Sequence, residues 1–137
     1  MKEDYYEKEI EKIGKFLQAI ISYILKHEGA EQKTAEEAQA ELSRNYEIDL
    51  HNLYEKTSEE LIKTLSANPG FNHMNMEYMA DLISLVADSE NDGIRQQDYY
   101  AKALAIYLHI DQKKREYDLE RVKKMEKLRE KMNVKLN

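Results

Sequence analysis

Residues 10–25, IEKIGKFLQAIISYIL, carry the helical pattern that decides the fold of this chain. Apolar residues recur there at spacings of three and four, the period of one face of an α-helix. They are Ile10, Ile13, Leu17, Ile20 and Ile24, and Phe16, Ile21 and Leu25 widen the stripe. A helix that is apolar over so wide an arc packs against several neighbours, or against one neighbour and a second chain.

The bounds of the first two helices are predicted from local signals. The first helix is expected to run from about Asp4 to His27. Gly29 follows as a stop, because glycine adopts the left-handed conformation that closes helix ends. Thr34 and Glu37 match a capping box, so a second helix is expected to begin at Thr34. Its narrow apolar stripe consists of Ala35, Ala38 and Leu42.

Capping and breaking residues divide the middle of the chain. Thr57 and Glu60 repeat the capping box, which predicts a break near Lys56 and a new helix after it. The sequence Asn-Pro-Gly at residues 68–70 ends that helix, because proline cannot continue a helix. Asn75 is expected to cap the next helix. Its apolar residues repeat at helical spacing and are Met76, Met79, Ala80, Ile83, Val86 and Ala87.

The last third of the chain resumes the helical pattern from Ile94. We expect a break between Ile110 and Asp118, where residues 112–116 are all polar, although a single helix over 94–133 is an alternative. The second part is a basic C-terminal helix within 111–137, with a frayed end. Either Asp111 or Asp118 can cap it.

No segment has the alternating pattern of a strand, and 137 residues suit one domain. The sequence therefore predicts an all-α fold in which residues 1–137 form one domain. We expect an antiparallel array of five to seven helices.

The segment 76–109 resembles a tetratricopeptide helix pair. Helix A would span Met76–Ala87 and helix B Ile94–His109, and Tyr100 precedes Ala103 by three positions, as an aromatic precedes a small residue in that family. No second copy follows at the 34-residue period, so the chain holds one unit. The order of its helical segments also resembles a family of small, functionally uncharacterised bacterial all-α proteins. The resemblance implies a tetratricopeptide-like fold with no assigned activity.

The composition argues against catalysis, cofactors, metals and membranes. There is no cysteine, and the four histidines lack the paired spacing of a helical metal site. Neither a glycine-rich phosphate loop nor a nucleophile motif is present. The apolar run 16–25 has ten residues, whereas about 20 cross a bilayer. No secretory signal begins the chain. We therefore expect a cytoplasmic, non-enzymatic protein without a cofactor.

Charge is distributed unevenly along the chain. Residues 31–93 carry four Lys/Arg against fourteen Asp/Glu, whereas residues 94–137 carry twelve against seven. The acidic middle and the basic end can attract one another within the domain, attract a second copy, or attract a partner. We favour internal compensation. Acidic residues interrupt the basic run 113–135, so nucleic acid is an unlikely partner.

Ten tyrosines against two phenylalanines indicate rings that edge the core or serve recognition. We expect at least one tyrosine of each adjacent pair, Tyr5–Tyr6 and Tyr99–Tyr100, near the surface. The leading interpretation is an adaptor that binds a protein or peptide, and the alternative is a structural homodimer. The six candidate binding residues, three tyrosines and three lysines, are Tyr99, Tyr100, Tyr107, Lys123, Lys124 and Lys127.

The helix-pair interpretation predicts that Ala103 lies where two helices cross. The substitution Ala103→Leu would overpack that contact and lower the free energy of unfolding by about 1–3 kcal/mol. Urea denaturation measures the change. On an exposed helix face the same substitution changes stability by no more than about 0.5 kcal/mol, so an unchanged midpoint would contradict the helix pair.

Overall fold

A computed structural model describes the backbone of residues 2–26 and 29–136, and the side chains of residues 5–26 and 32–132. These residues form seven helices and no strand, which confirms the all-α array. The helices are α1 (Lys2–Lys26), α2 (Gly29–Tyr46), a 3₁₀ helix (Leu50–Glu55), α3 (Ser58–Ser66), α4 (His73–Asp88), α5 (Gly93–Lys114) and α6 (Leu119–Leu136).

The apolar stripe of α1 forms the centre of the core. Ile13, Leu17 and Ile20 are completely buried, and α1 packs against both α2 and α4. The stripe predicted for α2 is buried as well, and it consists of Ala35, Ala38 and Leu42. The wide apolar arc of α1 thus packs against two neighbouring helices, the first of the two arrangements that its pattern predicted.

Helices α4 and α5 form an antiparallel pair. The hydroxyl of Tyr100 donates to Asp88 and that of Tyr107 donates to Asp81, so residues later in α5 contact residues earlier in α4. Asp92 caps α5 by accepting from two backbone amides of its first turn. Ala103 of α5 is completely buried, which is consistent with the predicted helix crossing.

Residues 115–118 separate α5 from α6, so the alternative of one helix over 94–133 is wrong. Arg115 has a left-handed backbone (φ 56°) that ends α5, and Asp118 Oδ1 accepts from the Arg121 amide at 3.1 Å. Asp111 is therefore the wrong start for the C-terminal helix, because it lies inside α5. Side chains from residue 133 onward lie outside the described residues, so the frayed end stays a prediction.

The predicted start of α2 was wrong. The helix begins at Gly29, five residues before the expected cap, and Thr34 lies inside it. The intervening residues are good helix formers, and Gln32 Nε2 donates to Glu36 Oε1 across one turn (3.1 Å). Gly29 is thus the first residue of α2, whereas it was expected to end α1. The expected end of α1 at His27 lies outside the described residues.

The prediction that Asn75 caps α4 was wrong. Asn72 is the cap, and its Oδ1 accepts from the Asn75 amide at 2.9 Å. The Asn75 side chain is completely buried, and its Nδ2 donates to the carbonyls of Ile10 (2.9 Å) and Gly70 (2.8 Å). A Cβ at Gly14 would lie 3.0 Å from Asn75 Oδ1, so the glycine permits this approach. Asn75 thereby joins α1, the turn after α3, and α4.

We expect Asn75→Asp to lower the free energy of unfolding by about 3 kcal/mol or more. The carboxylate cannot donate to the two carbonyls, and each buried group left unpaired costs about 1–3 kcal/mol. Urea denaturation at neutral pH measures the loss. Asn91→Asp in the exposed loop before α5 is the matched control, with an expected change within about 0.5 kcal/mol. Equal midpoints for the two variants would contradict this role of Asn75.

Candidate functional site

Helices α4, α5 and α6 meet in a triad of tyrosine, aspartate and lysine. The Tyr107 hydroxyl donates to Asp81, and Lys124 Nζ lies 3.0 Å from the same carboxylate. The ammonium also lies 5.8 Å from the centre of the Tyr107 ring. The lysine thus contacts an anion and an aromatic face together, an arrangement that favours its charged form.

The same triad recurs seven residues away in each helix. The Tyr100 hydroxyl donates to Asp88 at 2.6 Å, and Lys131 Nζ lies 2.8 Å from that carboxylate and 5.4 Å from the ring centre. Seven residues are close to two helical turns, so each step returns to the same helix face. The repeat shows that α6 runs parallel to α4 and antiparallel to α5.

A buried arginine anchors the start of α6. The Arg121 side chain is 2% exposed, with Nη1 2.9 Å from Glu77 and Nε 2.5 Å from Asp111. Asp118 lies 3.5 Å away on the preceding turn. Burial by itself lowers the pKa of the guanidinium, but the hydrogen bonds to Asp111 and Glu77 outweigh it and raise the pKa. Arg121 therefore stays charged and joins carboxylates from three segments of the chain.

The triads also shift the pKa values of their members. Burial by itself lowers the pKa of Lys124, but the hydrogen bonds to Glu77 and Asp81 raise the pKa by more than burial lowers it. The net result is a raised pKa. Burial, followed by the Asp81 carboxylate, raises the pKa of the Tyr107 phenol. Both groups thus hold more protons in the folded state than in the unfolded state at high pH. Their contribution to stability is complete below a pH of about 10 and is lost as the pH rises above it.

A groove lies beside the first triad, between α1, α4 and α6, with a volume of about 310 Å³. We call it the basic groove. Its apolar lining is contributed by all three helices and includes Leu25, which is 63% exposed. The charged lining residues are Asp81, Lys124, Lys127 and Lys131. The groove thus combines an apolar surface with an excess of positive charge.

Three of the six predicted binding residues meet in this groove: Tyr107, Lys124 and Lys127. Tyr100 lies in the second triad, Tyr99 is buried near Arg95, and Lys123 is exposed outside the groove. A role of these residues in partner binding stays a prediction. Tyr107 is 1% exposed and lies beneath the Lys124 ammonium, so its ring offers almost no surface to a ligand in the groove.

The expectation of a surface tyrosine was right for one adjacent pair and wrong for the other. Tyr5 is 63% exposed and Tyr6 38%, but Tyr99 and Tyr100 are 2% and 4% exposed. Helix α5 packs against α4 and α6, and also against α3 and the 3₁₀ helix. Because α5 has neighbours on more than one face, both adjacent rings are buried.

The sequence analysis did not predict the acidic residues that position the groove. Glu77, Asp81 and Asp88 form an acidic row on α4, and they pair with Arg121, Lys124 and Lys131 of α6. These ion pairs confirm internal charge compensation for the three cations. A signal was present: the spacing of seven between the two aspartates equals that between the two lysines.

Within the described side chains, no group of three or more histidine, cysteine, aspartate or glutamate residues is placed to hold a metal ion. No helix in the described backbone is long and apolar enough to cross a membrane. Comparison with protein-family models, curated proteins and solved structures finds no match to this chain.

Lysines inside and outside the triad should differ in their effect on stability. Lys124→Gln leaves Glu77 and Asp81 without their ammonium partner, and we expect a loss of about 1 kcal/mol, moderated because Lys124 is 36% exposed. The double substitution Lys123→Gln, Lys127→Gln is the control and should change stability by no more than about 0.5 kcal/mol. Thermal unfolding at low salt measures both. A larger loss in the control would contradict the assignment of Lys124 to internal pairing.

Proposed function

We propose that this protein is a non-enzymatic adaptor whose basic groove binds an acidic segment of a partner protein. The observation that carries the proposal is the exposed apolar side chain of Leu25 in a groove edged by lysines. An apolar surface next to charges of one sign favours a partner that has apolar residues and charges of the opposite sign.

The lysines of the groove have different roles in this proposal. Lys124 and Lys131 are paired with Asp81 and Asp88, so they mainly hold α6 in place. Lys127 is exposed and forms no ion pair with the described side chains. Its ammonium is available to a carboxylate of the partner, while apolar partner residues would lie against Leu25 and Ile21.

The proposal includes a tetratricopeptide-like character for the pair α4–α5. The antiparallel packing of the two helices and the buried Ala103 support it. The basic groove lies beside this pair, with α4 forming one wall and α1 and α6 the others. A cytoplasmic location in a bacterial cell is the corresponding expectation.

A structural homodimer is the second candidate function. A cleft of about 570 Å³ between α1 and α2 favours it, since Phe16, Ala19 and Ala38 give it an apolar lining. The same cleft is lined by cations and anions, a mixture of charges that is compatible with a self-complementary interface. They are Lys12, Lys15 and Arg44, with Glu37 and Glu41. Light scattering coupled to size-exclusion chromatography separates a stable dimer from a monomeric adaptor.

Selection from a displayed library of random peptides tests the adaptor function. We expect the selected peptides to alternate Asp or Glu with Leu, Ile or Phe. Fluorescence anisotropy of the best labelled peptide measures its affinity. Lys127→Gln should weaken binding about fivefold, the equivalent of about 1 kcal/mol, and high salt should weaken it further.

Arg129→Gln is the matched control, because Arg129 is exposed on α6 and does not line the groove. This variant should keep the affinity of the unmodified protein within about twofold. Equal weakening by Arg129→Gln, or selected peptides without acidic residues, would contradict binding in the basic groove.

A further inference from the structure

A second cleft lies between the first half of α1, the end of α2, and α3. It has a volume of about 660 Å³ and is lined by Tyr5, Tyr6, Glu9 and Tyr46, among others. We call it the tyrosine cleft. Glu9 lines the tyrosine cleft, and Ile21 lines the basic groove. The two residues are twelve positions apart on α1, which is about 18 Å along the helix axis. The two sites are therefore separate.

Aromatic rings form one side of the tyrosine cleft. Tyr5 is 63% and Tyr6 38% exposed, and their ring centres are 5.8 Å apart with an angle of 67° between the planes. Tyr46 also lines the cleft, but it is buried, and its hydroxyl donates to Glu9. Two exposed ring faces at a steep angle can contact a cation and an alkyl chain from different directions.

The charge of the tyrosine cleft is negative. Three carboxylates, those of Glu9, Glu47 and Glu60, line it together with the ammonium of Lys63. A second ammonium, that of Lys56, donates to two lining residues, the Glu47 carbonyl and Thr64 Oγ1, at 3.2 Å each. Burial and the hydrogen bond to Glu9 raise the pKa of Tyr46, so its phenol stays neutral and donates to the carboxylate. The surplus of carboxylates favours a positively charged occupant.

Two helix ends add to the negative potential of the tyrosine cleft. Tyr46, the last residue of α2, lines it, and so do Ala67 and Pro69, which follow the end of α3. The C-terminal end of a helix carries a partial negative charge, which stabilises cations. These dipoles act in the same direction as the carboxylates.

We propose that the tyrosine cleft binds a small aliphatic amine in its ammonium form, such as a diamine or a linear polyamine. The ammonium groups donate to Glu47 and Glu60, and the alkyl chain lies against the rings of Tyr5 and Tyr6. A volume of about 660 Å³ is in the range of pockets for small molecules. This site takes a ligand of opposite charge to that of the basic groove and is independent of the adaptor function.

Titration with spermidine at low ionic strength tests this assignment. The chain has no tryptophan, so tyrosine emission is measured without tryptophan background, and calorimetry gives the stoichiometry. The variants below assign the signal to the tyrosine cleft, because only three of the ten tyrosines line it. We expect saturable one-to-one binding. The double substitution Glu47→Gln, Glu60→Gln should weaken it about tenfold, because each glutamine keeps an acceptor oxygen but loses the charge that strengthens its hydrogen bond. Glutamine at position 60 still supports the capping box at Thr57, so α3 remains formed.

The matched control is Glu126→Gln, Glu130→Gln, which removes the same charge from exposed positions on α6. It should change the affinity less than about twofold. Tyr5→Ala should weaken spermidine about threefold through loss of the ring contact.

Three results would overturn the assignment. They are the absence of saturable binding, equal weakening by the control, and binding of an acetylated tetralysine peptide about tenfold more tightly than spermidine. The last result would assign the tyrosine cleft to a basic peptide segment. None of these measurements involves the basic groove, so the two proposals can fail separately.

Discussion

The pairing of one buried guanidinium constrains the packing of the whole C-terminal half. Arg121 is 2% exposed, and a charge so buried is stable only when carboxylates surround it. Those carboxylates come from α4, from α5 and from the turn before α6. Helix α6 can therefore take only the position in which all three converge, and both tyrosine triads and the basic groove follow from that position.

Buried charge pairs specify a register more than they add stability. Apolar residues of similar volume in place of a buried ion pair often leave stability unchanged or increase it, whereas loss of one partner is costly. A shift of α6 by one turn would separate Lys124 from Asp81 and Lys131 from Asp88 together. We therefore regard the ion pairs as the reason that α6 has one position, with its apolar residues Met125 and Leu128 supplying the burial. This division leaves Lys127 available at the surface.

Local signals in the sequence predicted the helices well, but side-chain roles depended on tertiary contacts. The α1 stripe and the Thr57 capping box were correct because each depends on spacing within one segment. Asn75 has the chemistry of a cap, yet its amide donates to α1 and to the turn after α3, which no local pattern encodes. For the candidate site, the sequence placed Lys124 and Lys127 together. The sequence does not show that Lys124 is paired and Lys127 is exposed, because that difference depends on where α4 places Glu77 and Asp81.

A double-mutant cycle between Arg121 and Glu77 tests the central claim most directly. Urea denaturation of the parent protein, Arg121→Met, Glu77→Gln and the double variant gives the free energy of unfolding of each. If the buried pair holds α6 in register, the two single losses overlap, and the coupling energy is about 1–3 kcal/mol. Losses that add within about 0.5 kcal/mol would show that the two side chains act independently, and would contradict the account.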